Sequence, residues 1–90
     1  MFDRLKSALE QADKTAGRHE IDQIAHMLGG FPKYHTMRKA AAGCPRLCAL
    51  LPKVEPAANE QFALFHTAEC MNRDDVVGEV AGLMHGVLQA

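Results

Sequence analysis

Two pairs of soft ligand residues stand four apart in this chain, Cys44 with Cys48 and His66 with Cys70, and together they use all three cysteines. An i, i+4 spacing puts two side chains on one face of a helix, so two facing helices can converge three thiolates and an imidazole on one point. Three cysteines and one histidine form a donor set of structural zinc, which binds four N or S atoms in a tetrahedron. Familiar structural sites, however, take their cysteines from tight C-x-x-C turns. Free cysteines beside Leu47 and Leu51 also serve as small buried hydrophobes. The expectation is no cofactor, with zinc on Cys44, Cys48, His66 and Cys70 as the alternative.

A redox reading uses the same residues differently. Cys44 precedes Pro45, the residue type favoured at the first position of a helix, so its thiol can cap that helix. Unpaired amides, the helix dipole and the charge of Arg46 would there lower its pKa. Against this, C-x-x-x-C is not the thioredoxin spacing and no βαβ pattern surrounds it. His19, His26 and His35 stand at no readable spacing from a nucleophile. The chain also has no glycine-rich phosphate loop, serine elbow or acidic metal cluster. A non-enzymatic protein is expected.

Whatever the chemistry, helices must position it. Phe2, Leu5, Leu9 and Ala12 follow the rhythm of an amphipathic helix, with Asp3 in its first turn and Gly17 able to end it. Ile21, Ile24, Ala25 and Leu28 repeat the pattern until Gly29-Gly30. Pro32 can open a third helix that turns Tyr34, Met37 and Ala41 inward, closed by Gly43. A fourth runs from Pro45 to Leu51, and 52–56, bracketed by prolines, reads as a hinge-like extended link. Residues 57–71, with Phe62, Leu64, Phe65 and Ala68, read as a largely buried helix. Residues 62–65 can alternatively be a strand, but no second strand is available to pair with it.

The last helix is expected to start at an N-cap Asn72, with Asp74 and Asp75 in its first turn. On it Val76, Val77, Val80, Ala81, Leu83, Met84, Val87 and Leu88 fill one arc, while Gly78, Gly82 and Gly86 line the opposite side. Each such glycine costs a helix about 1 kcal/mol relative to alanine. A bare stripe at that spacing lets another backbone approach, which suits a homodimer or a docked partner.

Charge is the other asymmetry. The net charge is -1, yet Gln23 to Val54 contains no acidic residue and carries Lys33, Arg38, Lys39, Arg46 and Lys53. From Glu55 onward Arg73 stands alone against six acidic residues. A basic middle attracts phosphates or an acidic partner, unless the two halves simply attract each other. The stretch Ile21-x-x-Ile24-Ala25-x-x-Leu28-Gly29, followed by Lys33, Tyr34, His35, Thr36, Arg38 and Lys39, also has the look of a helix-turn-helix unit. Pro32 and Met37 fit that register badly, and the chain as a whole is not basic.

Ninety residues make one domain, and 48% hydrophobic with 23% charged residues is the composition of a folded globule. The apolar C-terminal stretch is broken by Glu79 and His85 and is too short to span a bilayer. The opening residues lack a secretory layout and the cysteine number is odd, so a reduced, cytoplasmic protein is expected.

The reading is therefore an all-α bundle of four to five short helices, a protein-binding module such as an adaptor, inhibitor or regulatory subunit. Its expected contacts are Lys33, Tyr34, Arg38, Lys39 and Arg46 together with Gly78, Gly82 and Gly86. A DNA-binding regulator and a small zinc protein are the alternatives.

Overall fold

A computed structural model of the chain describes residues 2–31, 33–51 and 67–89. The described residues are helices and turns with no strand: α1 (Phe2–Thr15), α2 (Arg18–Gly29), α3 (Tyr34–Ala40), α4 (Pro45–Leu50) and α5 (Val76–Gln89), with a further helical turn at 67–70. This is the expected small all-α bundle. Pro32, the link at 52–56 and the apolar run with Phe62, Leu64 and Phe65 lie outside the described residues, as does the choice between helix and strand there.

The periodic apolar positions build the core. Leu5, Leu9 and Ala12 of α1 are fully enclosed, as are Ile21, Ile24, Ala25 and Leu28 of α2 to within a few per cent. They meet Val77, Val80, Ala81 and Met84 of α5, which packs on both α1 and α2. α3 and α4 lie against the same pair and contribute Met37, Ala40 and Leu47. Burying a leucine- or methionine-sized side chain is worth about 1.5–3 kcal/mol each, and this shared cluster is what holds five short helices together.

Several ends differ from their sequence expectation. Gly17 does not close α1 but stands as the N-cap of α2, in extended geometry. α2, by contrast, stops where Gly29-Gly30 was expected to stop it, with the Gly30 amide bonded back to His26 O and Phe31 turned into the core at 3% exposure. In the 67–70 turn Thr67 and Cys70 are buried, whereas Ala68, expected among the buried positions, is exposed.

The start of α5 is also displaced. Its cap is Asp75, whose Oδ1 accepts from the Gly78 amide at 3.1 Å, and not Asn72, which lies in the turn preceding it. That turn brings the Arg73 carbonyl so close that a Cβ on Gly78 would sit 2.0 Å from its oxygen. Gly78 is therefore buried against its own chain, and the expectation that all three glycines face outward is corrected for this one. Only a residue without Cβ fits there.

Candidate docking face on α3

Helix α3 is seven residues long and buries Tyr34, Met37 and Ala40 at a spacing of three. The positions between them are forced outward, so His35, Arg38 and Lys39 are exposed together. They line a shallow depression of about 350 Å³ with Ala42 and Cys48 from the following turn and α4. No aspartate or glutamate is among its described lining residues.

Tyr34, which the sequence placed both inward and among the contacts, is 3% exposed. Its hydroxyl instead accepts a 2.7 Å hydrogen bond from the Arg38 guanidinium, which also stands 6.0 Å from the centre of the Tyr34 ring. A buried aromatic thus steadies one of the exposed cations. Lys39 extends to solvent beside it.

Two other residues expected on this surface are engaged within the fold. Arg46 donates to Asp13 O and Ala16 O, both at 2.9 Å, and so satisfies carbonyls at the C-terminal end of α1. Lys33 Nζ donates to Val87 O at 3.3 Å in the last turn of α5. Cations at helix C-termini complement the macrodipole and meet carbonyls that lack an intrahelical partner. Part of the basic middle therefore serves the fold, with Lys33 and Arg46 bonded to backbone carbonyls. Arg73 of the acidic half likewise donates to Gln23 Oε1 at 2.6 Å and pairs with Asp75, tying the turn before α5 to α2.

The glycine stripe divides. Gly82 has no heavy atom within 4 Å of a notional Cβ and forms part of an open groove of about 780 Å³ between α1 and α5, with Ala8, Gln11, Glu79 and Leu83. Gly86 is half-buried. Gly78 borders the same groove, but its bareness is explained by the Arg73 carbonyl.

Cys44 and Cys48 do not behave as a pair. Cys44 is the N-cap of α4, with φ -119° and ψ 89°, so its side chain does not follow the helical face that Cys48 occupies. Cys44 is completely buried and Cys48 is exposed. Burial, followed by the negative charge of Asp13, pushes the Cys44 thiol up to about 11, the reverse of the lowered value that the redox reading required. Cys70 is also buried, and desolvation raises its pKa against the opposing pull of Arg73. Among the described residues no three His, Cys, Asp or Glu side chains are grouped as a metal site. His66, the fourth proposed ligand, lies outside them.

Sequence reasoning missed Asp13 altogether, a carboxylate only 4% exposed whose Oδ1 accepts from the Leu47 amide at 2.9 Å. Its partner is 34 positions away, so no local spacing marks it. The place of Cys48 beside the α3 cations was missed for the same reason. No described helix is long and apolar enough to cross a membrane. Comparison with known protein families, with curated proteins and with solved structures finds no match to this chain.

Proposed function

We propose that this chain is a non-enzymatic protein-binding module, an adaptor, inhibitor or regulatory subunit, that takes an acidic segment of a partner protein on the outer face of α3. The observation that carries this reading is the grouping of His35, Arg38 and Lys39 around one depression, with no carboxylate among its described lining residues. A surface of one sign raises the encounter rate with an oppositely charged partner. The open α1–α5 groove at Gly82 offers a second contact for the same partner or for a second copy.

Three features favour an acidic protein over nucleic acid. The exposed part of α3 is two turns, it presents three side chains that can be cationic, and the chain is net acidic. Duplex binding draws its affinity from many phosphate contacts and leaves a basic footprint on the domain. Among the described residues of the basic middle, Lys33 and Arg46 are committed to helix ends.

The test is a titration of the protein with a fluorescent poly-glutamate peptide, run beside a random DNA duplex at two salt concentrations. Binding of the peptide is expected to weaken with salt, and the Arg38→Glu, Lys39→Glu double variant to lose at least about tenfold in affinity, mainly through the association rate. Unchanged rate and salt dependence in that variant would remove α3 from the interface. Tighter binding of the duplex would favour the nucleic-acid reading instead.

A further inference from the structure

The α3 depression contains something that charge recognition alone does not require, a nucleophile. Cys48 is the exposed thiol among the described cysteines, and it lines the same depression of about 350 Å³ as His35, Arg38 and Lys39. Its Sγ donates to Ala41 O at 2.9 Å, which fixes the sulfur at the junction of α3 and α4. Arg38 is held in turn by the Tyr34 hydroxyl at 2.7 Å, so the charge beside the thiol rests on a buried anchor. The depression is of a size for one small polar molecule.

We propose that Cys48 is a modification site that forms a mixed disulfide with a small anionic disulfide of the glutathione class, captured by the His35, Arg38 and Lys39 pocket. The carboxylates of such a reagent are attracted to the pocket while its sulfur–sulfur bond comes to Cys48. The Cys48 thiol gives up its hydrogen bond to Ala41 O and loses its proton to solvent. Its thiolate attacks one sulfur of the reagent, forming the Cys48–sulfur bond as the reagent's own disulfide breaks. The Cys48 sulfur is oxidised, the departing half is reduced, and that half leaves as a thiolate that takes up a proton. The same cations favour this anionic leaving group.

The inference uses the residues of the proposed docking face but does not rest on that reading, and its test contains no partner. The reduced full-length chain is mixed separately with glutathione disulfide, neutral hydroxyethyl disulfide and cationic cystamine, and adducts are followed by intact mass and peptide mapping. Rates are expressed relative to those of an unstructured peptide containing one cysteine.

The expected result is one adduct, on Cys48, with the relative rate for glutathione disulfide about tenfold or more above that for cystamine and falling as salt rises. Arg38→Gln with Lys39→Gln should erase most of that preference and leave the hydroxyethyl disulfide rate within about twofold. Lys39→Gln alone, at an exposed position, should reduce the preference in part and covers the case in which loss of Arg38 unsettles Tyr34. Cys48→Ser should remove the adduct. Equal relative rates for the anionic and cationic reagents, no adduct at all, or an adduct on Cys44 or Cys70 of the folded chain would overturn the proposal.

Discussion

Asp13 Oδ1 accepts the backbone N–H of Leu47 at 2.9 Å inside the bundle, joining the end of α1 to the start of α4 across 34 positions. α4 needs this because Cys44, at its N-cap, makes no side-chain hydrogen bond to the helix. Pro45 at the next position has no N–H to satisfy, but the Arg46 and Leu47 amides of the first turn have no intrahelical partner. Asp13 supplies the missing cap from another helix. Arg46 returns the relationship by donating to Asp13 O and Ala16 O, both at 2.9 Å. These three bonds tie the start of α4 to the end of α1.

Removing the Asp13 carboxylate should therefore cost more than a surface substitution. Asp13→Ala leaves the buried Leu47 N–H unpaired, a loss of about 1–3 kcal/mol. Asp13→Asn keeps an oxygen at the same place and should recover a large part of it. Urea unfolding curves of the two variants and the parent measure the difference. Equal midpoints for Asp13→Ala and the parent would show that the bond contributes nothing net.

Two glycines one helical turn apart should respond to alanine with opposite sign. At Gly78 the new Cβ would stand 2.0 Å from Arg73 O and 3.1 Å from Cys70 O, both backbone atoms. The turn before α5 would have to move, at a cost of about 1–3 kcal/mol or more. At Gly82 nothing stands within 4 Å, so alanine should stabilise the helix by up to about 1 kcal/mol. Thermal unfolding of Gly78→Ala and Gly82→Ala checks both. A shift of the same sign in the two variants contradicts the geometry.

This contrast also marks how far the sequence could be read. Leu5, Leu9, Ile21, Ile24 and Leu28 recur at spacings that only an amphipathic helix uses, and every one of them is buried. Gly78 and Gly82 occupy equivalent places in the same repeat, and what separates them is a carbonyl five residues upstream of Gly78, brought there by a turn. The cap of α5 was ambiguous for a related reason. Asn72 and Asp75 are both good capping residues, and the turn fixed at 67–73 decides in favour of Asp75. Charge was legible as a surplus but not as a surface. Arg46 and Lys33 bond to carbonyls, which every residue carries, so no sequence pattern could reveal that they are engaged.

Acid should weaken the start of α5. Desolvation alone would raise the Asp75 pKa, but the Gly78 amide and the Arg73 guanidinium outweigh it and hold the carboxyl below its ordinary value of about 3.9. A carboxyl with a depressed folded pKa contributes stability that is complete above the unfolded value and is lost as pH falls through the folded one. The parent should therefore lose part of its Tm advantage over Asp75→Ala between about pH 4.5 and pH 2. Thermal melts across that range measure it, and a constant Tm difference down to pH 2 would show that the charged form is not what caps the helix.

The three thiols should separate by reactivity and by their effect on alkaline stability. Cys48 is exposed while Cys44 and Cys70 are 0% and 4% exposed, so iodoacetamide at neutral pH should add one group to the folded chain, on Cys48. The other two should react at the rate of opening or in denaturant. Cys44 carries a second signature. An unfolded thiol ionises near pH 8.5, whereas the buried one is pushed up to about 11, by burial first and by Asp13 second. Its contribution is whole below the unfolded value and drains away as pH rises from there through about 11, because only the unfolded chain gains by ionising in that window. Replacing Cys44 with alanine removes the titrating group, so the variant starts less stable at pH 7 but loses less of its own stability between pH 8.5 and 11. Denaturant midpoints taken across that range should draw together. Parallel curves would mean that the Cys44 thiol ionises as readily in the fold as out of it, and its burial beside Asp13 would then have to be wrong.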